Sequence, residues 1–180
     1  PNLSFPKFEG LSGQWSLEIQ ARSIHQLGWS KTSNMKKVFP WLLVIFIAFV
    51  FIQSLVFKFS GSQETVIIFN TVADWMTSIG LPAGLVEGFR SYTGIVIGGA
   101  ELVASILLFI SKTRIWGALL AMGIMSGAIF FHLATPLGVD RAIDDNGATD
   151  GGVLFFVACG VWIAAAVTTY LNRKSIGNMP

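Results

Sequence analysis

The chain has 180 residues, of which 53% are hydrophobic and only 12% charged, and its mean hydropathy is +0.65. A water-soluble domain of this size needs far more polar surface, so composition points to an integral membrane protein. The formal net charge of +2 carries no basic stripe, which excludes a nucleic-acid-binding role, and the single cysteine, Cys159, excludes an internal disulfide.

Residues 1–34 lack apolar periodicity and read as a disordered tail or an upstream extension. From Met35 the chain turns to "MKKVFPWLLVIF", two lysines ahead of an apolar run over about 38–57. That opening resembles a secretory signal, but the run is of span length and has no A-x-A cleavage site, which favours an uncleaved first helix. Three further apolar segments follow, over about 92–110, 115–133 and 153–171. Each approaches the roughly 20 residues needed to cross a bilayer as a helix. Nothing alternates with the period of a barrel strand, so helices must satisfy the backbone. The expected fold is all-α, a four-helix transmembrane bundle over residues 35–174 with a short tail at 175–180.

The loop after the first span contains "SQETVIIFNTVADWMTSIG", with Ser62 placed as an N-cap and Gly80 and Pro82 as stop signals. Ile68, Val72, Trp75, Met76 and Ile79 share one helical face. This segment is too polar to span and predicts an additional amphipathic helix that lies on the membrane surface or caps the bundle. The second and third spans are joined by "SKTR", a tight antiparallel hairpin.

Lysine and arginine set the expected orientation. Lys31, Lys36, Lys37, Lys112, Arg114, Arg173 and Lys174 fall on one side, whereas the other carries Lys58, Arg90 and Arg141 among seven carboxylates. Both termini are therefore expected in the cytoplasm, with the acidic face outside.

Glu101 interrupts "IVIGGAELVASILLFI" within the second span. An ionised carboxylate in hydrocarbon costs at least about 2.5–3.5 kcal/mol, so the group must stay protonated or face an interior polar pocket. Gly94, Gly98 and Ser105 share its helical face, and small residues let a neighbouring helix approach closely. The third span carries Gly123 and Gly127 in "GIMSG", so a close helix pair is expected with Glu101 in the seam. Either the acid is a proton-relay or ligand-anchoring group, or it makes a neutral interhelical hydrogen bond, for example to Ser126 or Gln53. Lys58 near the end of the first span, His132 at the end of the third and Asp150 before the fourth share the outer depth. They form a candidate cluster above Glu101 that would line an outward-opening pocket. Simpler roles stand beside that one: snorkelling for Lys58 and helix capping for Asp150. The residues present make no metal site, and His132 is the only histidine in a predicted span, so bis-histidine haem ligation within one chain is excluded. The "GIVIGGAELV" glycines have the wrong spacing for a dinucleotide-binding turn.

The segments "LVFKFSG", "ETVIIF", "GAELVASILLFISKTRIWGALLAMGIMSGAIFFHL" and "DGGVLFF" together resemble the DoxX and DoxX-like family of small four-helix membrane proteins over about residues 36–171. That resemblance implies a bacterial inner-membrane protein, associated in some members with quinone-linked or thiol-linked redox complexes. It implies no fixed catalytic set. The expected function is a membrane subunit or anchor of such a redox system, with quinone as the candidate cofactor and a redox protein, lipid or a second copy as partner. The alternatives are a small proton-coupled transporter, a self-sufficient quinone oxidoreductase and a scaffold without chemistry of its own.

Overall fold

A computed structural model describes residues 38–144 and 146–173, so the expectations for residues 1–34 and 175–180 lie outside the described residues. From Leu42 onward the described chain packs as one compact unit. The helices are α1 (Val38–Phe59), α2 (Gln63–Ser78), α3 (Ala83–Phe109), α4 (Arg114–Ala134) and α5 (Val153–Asn172). All but α2 are long and apolar enough to cross a membrane. At 22 residues α1 is about 33 Å long, which matches a hydrocarbon core of about 30 Å. The surface agrees with that environment, because Phe49, Val96 and Phe156 are each at least 64% exposed. Large apolar side chains exposed in this way mark a surface made for lipid.

The core is built from small residues. Ala104 of α3, Ala118 and Ala121 of α4, and Ala158, Ala164 and Ala165 of α5 pack with Val44, Ile47 and Phe51 of α1. Lipid tails are as apolar as leucine, so burial from water does not drive these helices together. Close van der Waals approach does, and alanine allows it.

The tightest approach is at Gly117. A Cβ built there would lie 2.8 Å from the Leu108 nitrogen and 2.9 Å from the Ala104 oxygen, so the backbones of α3 and α4 nearly touch. The hairpin between them also closes its own hydrogen bonds. Arg114 Nε donates to the Leu108 carbonyl at 2.9 Å, and Thr113 Oγ1 donates to the Leu107 carbonyl at 3.1 Å. Both carbonyls belong to the last turn of α3, which has no helical donors left to serve it. The close approach was expected at Gly123 and Gly127, yet a Cβ at either position meets nothing within 4 Å. Those two glycines sit where the helices leave room, and Gly117 occupies the contact.

Helix α2 is the amphipathic helix expected in the first loop. Ser62 caps it by accepting from the Thr65 amide. Its buried residues Val72, Ala73 and Met76 join Val86 of α3 and Leu137 beyond α4 in a second apolar cluster, with Phe89 and Phe131 packed against it. The helix is thus a cap on the bundle. Ile79, expected on the apolar face, is its C-cap residue and is 55% exposed.

The segment from α4 to α5 folds on itself. Ala142 and Thr149 form an isolated antiparallel bridge, and Asp144 accepts from the Asn146 and Ala148 amides. Those bonds, led by the one from Ala148, hold the Asp144 carboxyl below its ordinary range. Gly151 and Gly152 then take left-handed φ values of 64° and 79°, which turn the chain sharply into α5.

These contacts order two glycine substitutions. Gly117→Ala should lower the thermal midpoint of the detergent-solubilised protein, by about 1–3 kcal/mol in stability, because backbone atoms must move. Gly123→Ala should be neutral or slightly stabilising, since alanine is the better helix former and has space. Equal midpoints for the two variants would contradict the placement of the α3–α4 contact.

Candidate functional site

Glu101 is 2% exposed and does not stand alone. Lys58 Nζ lies 2.7 Å from Glu101 Oε1 and 2.8 Å from Oε2, so the ammonium bridges both carboxylate oxygens. Its third proton goes to Ser54 Oγ at 2.5 Å. An ammonium has three donors, and all are used. Helix geometry explains the reach. A helical side chain leans toward the N-terminus of its own helix, and for α1 that direction leads from Lys58 back along the helix past Ser54. Lys58 therefore points along the bundle to the acid instead of out to the headgroups, and its side chain is only 13% exposed. Ser105, on the face of Glu101, donates to the Glu101 backbone carbonyl and leaves the carboxylate to Lys58 and Ser54.

The pair lines a cavity of about 760 Å³ bordered by residues of α1, α2, α3, α4, α5 and the loop before α5. A second charged group lines the same cavity. Arg141, 3% exposed although it comes from a loop, donates from Nη2 to Glu64 of α2 at 3.2 Å. Its Nε lies 3.5 Å from Asp150 Oδ2. Asp150 has further duties: it accepts from the Leu154 amide in the first turn of α5 at 3.1 Å and from the Gly152 amide at 3.0 Å. It therefore caps α5 and anchors the arginine together. His132 also lines the cavity, with Nδ1 2.6 Å from the Gly138 carbonyl oxygen and its ring edge-on to Phe155. A carbonyl can only accept, so Nδ1 carries a proton.

The structure brings Lys58, Glu101, His132, Asp150 and Gln53 to one cavity. Ser126, expected beside Glu101, instead accepts from the Trp162 indole at 3.0 Å and ties α4 to α5. Gln53 lines the cavity but is exposed and makes no bond to the acid among the described residues. Gly98 faces α1, where a Cβ would lie 3.2 Å from Leu55, and Gly94 faces Phe69 of α2 at the same distance. Ser54, Glu64 and Arg141 were not singled out from the sequence. Ser54 had a legible signal, since it stands one helical turn before Lys58 and so shares its face. Arg141 had none, because a loop arginine gives no sign of its burial. Among the described residues no group of three His, Cys, Asp or Glu side chains could hold a metal ion. The cavity suits an organic ligand: it has an apolar body, a few convergent polar groups and a volume within the range of about 300–1,000 Å³ typical of such sites.

Breaking one half of a buried ion pair leaves an unpaired charge and costs about 3–5 kcal/mol, whereas replacing both halves with apolar residues is often neutral. Lys58→Met should therefore lower the thermal midpoint sharply, and Lys58→Met combined with Glu101→Leu should restore most of it. If the double variant is as unstable as the two single losses added together, the pair is not coupled.

No curated protein and no solved structure matches the chain. Residues 36–142, which run from the start of α1 into the loop before α5, match the family described as methylamine utilisation protein MauE. The matched region contains Ser54, Lys58, Glu64, Glu101, His132 and Arg141, and the match is not to DoxX specifically. With more than half of its length aligned, including both partners of the buried ion pair, this multi-pass membrane protein belongs to the MauE family.

Proposed function

We propose that the chain is a membrane-embedded subunit or anchor of a quinone- or thiol-linked redox system, without independent catalysis. It would sit in the bacterial inner membrane with both termini in the cytoplasm, as the lysine and arginine distribution favours. The family name supports a methylamine-utilisation setting, and the hairpin from Gly99 to Leu133 supports kinship with DoxX-like proteins. The observation that carries the reading is the Lys58–Glu101 pair facing a cavity of about 760 Å³ between the membrane helices. Ionisable groups are costly at that depth and are kept where a ligand or proton path needs them. A structural hydrogen bond alone would need neither the cavity nor the second charged cluster at Arg141. The four span helices are continuous, which favours this reading over a carrier with the broken helices typical of transporters.

Affinity purification in mild detergent, followed by mass spectrometry of bound proteins and lipids, tests the proposal. The expected result is a co-purifying oxidoreductase or thiol-redox protein, together with little activity of the chain alone. Turnover by the isolated chain, or purification without any redox protein from cells that express the whole system, would contradict it.

A further inference from the structure

The cavity is open to the bilayer. Phe49 and Phe57 of α1 and Val153 and Leu154 of α5 line it, yet they are 64%, 43%, 61% and 40% exposed. The gap follows from how α1 is held. Its last turns lie against α3, where Leu55 and Phe59 cover Gly98 and Lys58 binds Glu101. Nearer its start it meets α5, where Phe46 lies over Gly160. Beside the cavity α1 is thus drawn to α3, and the seam between α1 and α5 is left unsealed and lined with apolar side chains. A molecule dissolved in the membrane can reach the polar groups through this seam without passing through water.

The polar groups select the head of such a molecule. Two cations, Lys58 and Arg141, face three carboxylates, Glu64, Glu101 and Asp150, so the lining has no positive excess to hold a phosphate or a fatty-acid carboxylate. Both cations are also paired: Lys58 gives its three protons to Ser54 and Glu101, and Arg141 donates to Glu64 and Ala142 and lies 3.5 Å from Asp150, although its buried Nε makes no hydrogen bond. His132 differs. With Nδ1 donating to the Gly138 carbonyl, the neutral ring presents Nε2 as an acceptor, and Nε2 has no partner among the described residues. The cavity therefore offers an uncommitted acceptor at His132, while each of its two cations is neutralised by a carboxylate.

We propose that the cavity binds the reduced, hydroxyl-bearing form of a lipid quinone, with the quinol hydroxyl donating to His132 Nε2 and the tail leaving through the α1–α5 seam. This rests on the quinone-linked form of the function proposed above and adds which redox form is held, by which atom and from which side. An oxidised quinone has only acceptor oxygens and leaves Nε2 unsatisfied, so the site discriminates through an unmade hydrogen bond.

The test uses the full chain in nanodiscs of phosphatidylcholine free of quinone, kept anaerobic. The probes are a decyl benzoquinol, its oxidised form, an alkylammonium of equal tail length and a fatty acid. The quinol is expected to bind about tenfold or more tightly than the quinone, the size of one hydrogen bond, and the two charged probes more weakly than the quinol. His132 and His25 are the only histidines, so ¹⁵N-histidine labelling should show one ring nitrogen shifting with quinol and not with quinone. His132→Asn keeps a donor for Gly138 but removes Nε2. It should erase the preference for quinol while leaving the unliganded thermal midpoint within a few degrees. Leu154→Trp at the seam should slow quinol binding several-fold. Equal affinity for the two redox forms, tighter binding of a charged probe, a preference that survives His132→Asn, or no effect of Leu154→Trp would overturn the proposal. Quinol selectivity without a redox partner would sink the subunit reading alone, and a partner without quinol selectivity would sink this inference alone.

Discussion

The ion pair between Lys58 and Glu101 is the constraint around which the outer half of the bundle is arranged. An ammonium and a carboxylate at membrane depth are tolerated only as a pair with every donor used, and Ser54 supplies the partner for the third proton. Holding that pair fixes the last turns of α1 against α3. The small residue at Gly98 makes the approach possible, since a side chain there would meet Leu55 and Phe59. The same attachment separates α1 from α5 beside the cavity. One electrostatic contact thus explains the close α1–α3 seam and the open α1–α5 seam together.

The acidic end repeats the logic with different parts. Arg141 is buried by a loop and held between Glu64 of the capping helix and Asp150 at the start of α5. Elements far apart in sequence are fastened through one guanidinium, whose planar fork can serve two acceptors at once. That clamp and the lysine pair both line the cavity, which is mainly apolar and is entered by a few fixed polar groups. Its distinguishing member is His132, whose orientation is set by the Gly138 carbonyl. The loop between α4 and α5 therefore determines which nitrogen of the ring a ligand meets.

Much of this architecture was legible in the sequence because lipid imposes simple rules. Four apolar runs had to be helices, and the tight "SKTR" turn had to make an antiparallel hairpin. Ser62, Gly80 and Pro82 marked the capping helix closely. The site was legible in its members and only partly in its pairings. Glu101, Lys58, His132 and Asp150 stood out as polar groups in apolar surroundings. The direction of the lysine, inward along α1 to Glu101, depends on the sense of the helix and on how far α3 extends above it. The apolar run suggested a start near Tyr92, whereas α3 begins at Ala83. The misplaced glycines have a similar cause. Spacing of four residues marks a face but not the neighbour it meets, so Gly123 and Gly127 looked equivalent to the true contact at Gly117. Ser126 was out of reach for the same reason, since its partner Trp162 lies on a different helix from the acid.

The central claim is that Glu101 is held as a carboxylate by Lys58 within the bundle. Infrared difference spectroscopy of the reconstituted protein against Glu101→Gln reads that state directly. The wild-type protein should show carboxylate stretching bands that vanish in the variant, with no carbonyl band from a protonated acid at neutral pH. A carboxylic-acid carbonyl band assigned to Glu101 would mean that the acid is neutral and that the two residues are not an ion pair.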